Sequence, residues 1–259
     1  MSGTLTGRVA VVTGGSRGVG RAIALRLAAD GAAVAVNYRR ERDAAADVVG
    51  EITAAGGTAA AYQASIDDRV AVVAMADAIR RDLGPIGIVV SNAGTASRGT
   101  DVAGTPQDEF ESLTRVHVFG PIALIQAALP DLRATGRGDI VMISSNTVDS
   151  APAGAAPYTM AKAAMETCVR TLAREERRHG VRANIVAPGL VATEMGRRLV
   201  KAATAGGSID ELAATSPFGR VCRPEDVAGA VAYLVSADAG YITGQKILID
   251  GGGADVTIF

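Results

Sequence analysis

Short apolar runs of strand length alternate with longer stretches of helical periodicity along the whole chain, and that alternation leaves few folds open. Residues 8–13, 33–38, 58–63, 86–91, 139–144, 182–187 and 246–250 read as strands. Several are near-continuous runs of Val, Ile and Ala, as parallel strands covered on both faces require. Helical candidates lie between them at 19–30, 41–55, 67–83, 106–132, 157–179 and 224–236. In the fifth, Tyr158, Ala161, Met165, Val169 and Leu172 recur at helical spacing and form one apolar stripe. Strands separated by helices imply an α/β fold, a doubly wound seven-stranded parallel sheet with right-handed crossovers. No linker or low-complexity stretch divides residues 1–259, so a single domain is expected. The irregular part, 189–223, has short helical pieces interrupted by glycine and polar residues and reads as a substrate lid.

A glycine-rich turn follows the first strand. Gly14, Gly18 and Gly20 are spaced G-x3-G-x-G, flanked by Ser16, Arg17 and Val19. Glycines here allow a tight turn and the close approach of a diphosphate to a helix N-terminus. The same residues also fit the G-x-S-x-G elbow of serine hydrolases, which would need an acid and then a late histidine. His117 and His179 are the only histidines, and the second lies at a helix end. The second strand ends in Tyr38, Arg39 and Arg40, with no acid before Glu41. Enzymes that bind NAD carry an acid near this point for the ribose 2′-hydroxyl; Arg17 with Arg39 or Arg40 would instead clasp a 2′-phosphate. NADP is therefore expected over NAD.

Tyr158 and Lys162 sit four residues apart, one helical turn, and so share a face. An ammonium beside a phenol favours the phenolate and should pull its pKa below about 10. The chain has only three lysines, Lys162, Lys201 and Lys246, which makes one at this position less accidental. Ser145 closes the fifth strand thirteen residues before Tyr158, with Ser144 as the alternative if the register slips by one.

Composition removes other classes. The net charge of −1 offers no field for nucleic acid or an anionic membrane, and 3% aromatics with no Trp provide no base-stacking platform. Cys168 and Cys222 lack CxxC spacing, and two histidines cannot build a His-rich metal site, so no metal is expected. No signal pattern and no apolar run of membrane length is apparent; a soluble cytoplasmic protein is expected.

Taken together, these residues resemble the short-chain dehydrogenase/reductase family in its single-domain, Rossmann-like form. The similarity runs through TGxxxGxG at 13–20, Asn92, Ala93 and Gly94, Ser145, and YxxxK at 158–162. It continues with Pro188, Gly189 and Thr193, the 217–220 and 224–226 segments, and 241–244. Within the family the chain looks most like 3-oxoacyl-carrier-protein reductases and related ketoreductases. The resemblance implies a hydride-transferring enzyme acting on a small carbonyl or alcohol substrate. Tyr158 would exchange the proton, Lys162 would hold the nicotinamide ribose and tune the phenol, and Ser145 would bind the carbonyl. Cofactor contacts would come from the glycine turn, Tyr38–Arg40, Ser65 and Ile66, Asn92, Ala93 and Gly94, and Pro188, Gly189, Val191 and Thr193. It also implies a homotetramer packed through the Tyr158 helix and the long helix before it.

Two departures from the family pattern stand out. His117 occupies the place of a usual asparagine that holds a relay water; an imidazole can bridge a water too. Ser65 stands where an acid often meets the adenine. Rival functions on this scaffold are a non-catalytic nucleotide sensor, which would be expected to lack Tyr158 or Lys162, and a lyase, which would usually replace the lysine with arginine.

Overall fold

The computed structural model describes residues 4–203, 207–216 and 218–253. Among them, seven parallel strands run in the order β3-β2-β1-β4-β5-β6-β7. They are β1 Val9–Val12, β2 Ala33–Tyr38, β3 Thr58–Gln63, β4 Ile86–Ser91, β5 Gly138–Ile143, β6 Val181–Pro188 and β7 Lys246–Ile249. The helices are α1 Gly18–Ala29, α2 Arg42–Ala54, α3 Arg69–Asp82, α4 Gln107–Thr114, α5 Gly120–Ala134, α6 Thr147–Ser150, α7 Ala156–Glu176, α8 Glu194–Ala203, α9 Ile209–Thr215 and α10 Pro224–Val235. β1 pairs with β2 on one side and β4 on the other. The strand order therefore reverses at β1, and a crevice opens beyond the carboxyl ends of β1 and β4.

Both sheet faces are buried, as the continuous apolar runs require. Val11, Val89, Ile140 and Ile185 pack with residues of α3, α5 and α7. Ala10, Val12, Val34, Ile88 and Val186 pack with α1, α2 and α10 on the other face. At the amino ends of the strands, buried Asp139 is clamped by Arg8 (2.8 Å) and Arg182 (2.6 Å), tying β1, β5 and β6. The opposite, carboxyl end is left for chemistry.

The observed β2, β3 and β4 have the expected boundaries; β1, β5 and β6 differ by one residue at each end, and β7 by one at its carboxyl end. The expected helix at 106–132 is not uniform. Residues Arg115–Phe119 form a π turn between α4 and α5. Just past it, a Cβ on Gly120 would lie 2.2 Å from the Ile66 carbonyl oxygen, so glycine lets α5 approach the end of the β3 connection. Counted as one stretch, Gln107–Ala134 is long and apolar enough to cross a membrane, contrary to the expectation that no run reaches that length. Its most apolar window is 56% buried inside the protein, where it serves as core. Within the expected lid, α8 and α9 are the helical pieces; residues 204–206 and Pro217 lie outside the described residues.

Candidate active site

The site is assembled from the segments that leave β1, β4, β5 and β6. After β1, Gly14 (φ +62°) and Gly18 (φ +54°) take left-handed backbone that a side chain would strain. Arg17, the residue before α1, has extended backbone, and its side chain makes no capping hydrogen bond to the helix. The first-turn amides of α1 thus end in an uncapped row suited to a diphosphate. Thr13 and Asn37, neither singled out from the sequence, hold this turn. The Thr13 hydroxyl accepts from the Asn92 and Ala93 amides, both at 2.9 Å. Asn37 Oδ1 accepts from the Gly14 amide at 3.2 Å, while its Nδ2 donates to the Ala64 carbonyl. Asn92 Nδ2 donates to the Thr13 carbonyl (2.9 Å), so its side chain acts as a clamp between β1 and β4.

The expected cofactor residues divide by exposure. Arg39 and Arg40 are exposed at the end of β2, whereas Tyr38 is 7% exposed and belongs to the core. Arg17 is exposed and lies 3.7 Å from Glu194 at the start of α8. Ser16 and Ile66 are buried, and Val19 and Ala93 are partly buried against the core. Ser65 donates to Asp67, which brings an exposed acid to the place where Ser65 alone was expected. Pro188 ends β6 and accepts from the Asn146 amide; Gly189 donates to Ile249. Val191 bridges to Cys222. Thr193 packs toward Gly18, and its hydroxyl caps the Gly196 amide at 3.0 Å. The turn, the strand ends and the lid entrance therefore form one cradle whose donors and exposed arginines fit a phosphorylated dinucleotide.

Beside that cradle, Ser145, Tyr158 and Lys162 converge. The Ser145 Oγ accepts from the Thr147 hydroxyl (3.0 Å) and amide (3.2 Å) and is hydrogen-bonded to Tyr158. With its lone pairs engaged by Thr147, Ser145 has its own proton left to donate, and in this structure it is directed at Tyr158. Ser144, by contrast, donates to Glu166 (2.6 Å) and faces away. Lys162 is buried, and its Nζ donates to the Ile143 carbonyl at 2.7 Å, leaving two of its three protons for other acceptors. Nζ is 5.7 Å from the Tyr158 ring centroid. The expected lowering of the phenol pKa is not found. Burial holds Tyr158 above its ordinary value of 10.0, and the Ser145 hydrogen bond only partly offsets this. Lys162, engaged by Ile143, stands too far back to reverse it. Tyr158 is accordingly a protonated donor at neutral pH.

His117 lies within the π turn, 1% exposed, with its ring edge-on to Tyr158 at 5.2 Å. Its Nε2 donates to the Thr95 carbonyl at 2.8 Å. A Cβ on Gly94 would meet this ring at 2.6 Å, so Gly94 is glycine for the histidine's sake. Burial first, and the Lys162 charge second, push the imidazole down to about 3, so it is neutral. Its Nδ1 is therefore an acceptor, and it is buried with no hydrogen-bond partner among the described residues.

Comparison with known proteins agrees with this arrangement. A family model described as enoyl-(acyl carrier protein) reductase matches residues 14–254. Versicolorin reductase of Emericella nidulans is 40% identical over 257 residues, covering 96% of each chain. A blue fluorescent protein from a metagenomic library, solved in complex with NADPH, has a TM-score of 0.88 at 35% identity, covering 97% of this chain and 100% of the other. A short-chain dehydrogenase of Burkholderia cenocepacia, solved with NADP, has a TM-score of 0.86 at 36% identity, covering 96% and 98%.

Proposed function

Because this chain belongs to the short-chain dehydrogenase/reductase family, we propose that it is an NADP-dependent ketoreductase acting on a carbonyl or secondary alcohol substrate. The observation that carries this reading is the half-buried Tyr158 phenol beside Ser145, whose lone pairs are engaged by Thr147, with the buried Lys162 one turn along α7. When bound, the dinucleotide supplies the hydride. Ser145 donates a hydrogen bond to the substrate carbonyl oxygen and fixes its position. Tyr158 delivers its proton to that oxygen as negative charge develops there. Lys162, through its two remaining protons, holds the ribose hydroxyls and stabilises the phenolate left behind. The amide row at the start of α1 holds the diphosphate, and Arg17, Arg39 and Arg40 hold the 2′-phosphate. A phenol kept protonated near neutral pH suits reduction of the carbonyl.

His117 belongs to this reading as a relay. Its neutral Nδ1, buried and without a hydrogen-bond partner among the described residues, would accept from a relay water in the role the family gives an asparagine. His117→Ala should slow kcat about tenfold or more while NADPH affinity changes far less. Unchanged kcat would leave His117 only its support of Gly94 and Thr95.

The direct test is NADPH consumption across a panel of acyl thioesters, cyclic ketones, steroids, sugars and quinones. Turnover of at least one class is expected, with kcat/KM for NADPH exceeding that for NADH by about 100-fold, the order expected from losing two charge-assisted contacts. A preference for NADH would remove Arg17, Arg39 and Arg40 from the 2′-phosphate. NADPH binding without turnover of any carbonyl would favour a nucleotide sensor instead. Cytoplasmic location and a homotetramer complete the reading. Exposed Phe119, beside α5, and Met160, on α7, are apolar groups that such an assembly would cover.

A further inference from the structure

We propose that Glu166, with Lys246, is a positioning residue of this active site, keeping the Lys162 ammonium charged and anchoring the strand end that carries Ser145. The role rests on the ketoreductase reading above. Tyr158, Lys162, Glu166 and Arg170 follow at four-residue intervals, so each lies about one turn along α7 from the next. Glu166 is 1% exposed. Its Oε1 accepts from Ser144 Oγ at 2.6 Å and lies 3.0 Å from Lys246 Nζ. Its Oε2 accepts from Arg170 at 3.0 Å. Lys246, the first residue of β7, also reaches Asp149 Oδ2 in α6 at 2.8 Å. The Glu166–Lys246 pair therefore joins the end of β5, α6, α7 and β7.

Two of these ties lead straight to the catalytic serine. Ser144 is its covalent neighbour, and Asp149 stands two residues past Thr147, which donates to Ser145 Oγ. If joining elements were the whole purpose, an apolar pair would serve as well, since burying ions is costly. The charge itself has a use one turn back along α7. Lys162 is 3% exposed, and its Nζ is bonded to the neutral Ile143 carbonyl. Tyr158 and Glu166 lie one turn to either side of it on α7, and neutral His117 comes from the π turn; Glu166 is itself paired with Arg170 and with Lys246, which also holds Asp149. Burial pushes Lys162 down to about 8, and Glu166 is the charge that opposes this. Removing it lowers the lysine further, so the ammonium is lost at a lower pH and the phenolate loses its cation.

Having only three lysines makes the test direct. Full-length protein labelled at lysine Cε is titrated by NMR, with Lys201→Arg and Lys246→Met assigning the other two signals. In Glu166→Gln the Lys162 midpoint is expected about one pH unit lower than in wild type. The alkaline limb of kcat should move with it, so that above pH 8 kcat falls roughly tenfold. The double variant Glu166→Gln/Lys246→Met removes both members of the Glu166–Lys246 pair and should likewise leave Lys162 low. It also carries the test if the single variant folds poorly. An unshifted Lys162 in both variants, or a double variant in which its midpoint returns to the wild-type value, overturns the proposal. The titration needs no turnover, so a wild-type protein that reduces no carbonyl would defeat the functional reading and leave the Glu166–Lys162 coupling separately decided.

Discussion

Tyr158→Phe is expected to lower kcat about 10³-fold, within the range that positioned proton transfer contributes, while NADPH binds nearly as in wild type. The substitution removes one oxygen and little else. The ring keeps its edge contact with His117 at 5.2 Å and its place below Lys162 at 5.7 Å. Lys162 keeps its bond to Ile143, and Ser145 keeps both bonds from Thr147. What disappears is the proton donor, so the loss should fall on kcat and leave the dissociation constant, read by NADPH fluorescence, within about threefold. The direction of the phenol's pKa adds a second expectation. Because burial holds Tyr158 above 10.0, its own ionisation does not limit reduction at moderately alkaline pH. The alkaline limb of the wild-type profile should therefore report Lys162, near 8. A phenylalanine variant within tenfold of wild-type turnover would move the acid elsewhere, with Ser145 the next group in line.

Much of the sheet was legible because parallel strands buried on both faces advertise themselves as continuous apolar runs. β2 and β4 begin and end where those runs do, and β3, an edge strand exposed or half-buried along most of its length, keeps its expected bounds as well. The convergence of Ser145, Tyr158 and Lys162 was legible for a different reason, since Tyr158 and Lys162 are fixed by helical pitch and Ser145 by a strand end. The π turn at Arg115–Phe119 was not, because a one-residue widening leaves the hydrophobic period of the flanking helices almost intact. Its one sequence trace was His117, a polar residue inside an apolar stretch. Thr13 and Asn37 were missed because their value lies in which backbone atoms they reach, across 79 and 23 residues of sequence. The phenol's pKa was expected in the wrong direction because spacing gives neighbours and not distances. The Ile143 carbonyl that draws Lys162 back is nineteen residues away in sequence. Glu166 passed unremarked in the same way, since its partners Ser144 and Lys246 come from two other strands.

Gly20→Ala is expected to weaken NADPH binding about 100-fold or more, the cost of a small displacement at a site that works by close positioning. A Cβ at this position would lie 2.2 Å from the Gly14 carbonyl oxygen and 2.5 Å from Asn92 Nδ2. Neither neighbour is free to yield. Gly14 is held in left-handed backbone and by Asn37, and Asn92 Nδ2 is bonded to the Thr13 carbonyl. The first turn of α1 must therefore back away from the strand ends, taking with it the amide row that meets the diphosphate. Helix propensity works the other way, since alanine is favoured over glycine by up to about 1 kcal/mol. Overpacking against a rigid neighbour costs about 1–3 kcal/mol, so the clash outweighs the propensity gain. Gly50→Ala separates the two effects. Gly50 lies in α2, is exposed, and a Cβ there meets nothing within 4 Å. That variant should gain up to about 1 kcal/mol of stability with unchanged NADPH affinity. Thermal midpoints and fluorescence titrations of the pair decide the matter. If Gly20→Ala binds NADPH as tightly as Gly50→Ala does, the α1 amide row is not what holds the diphosphate.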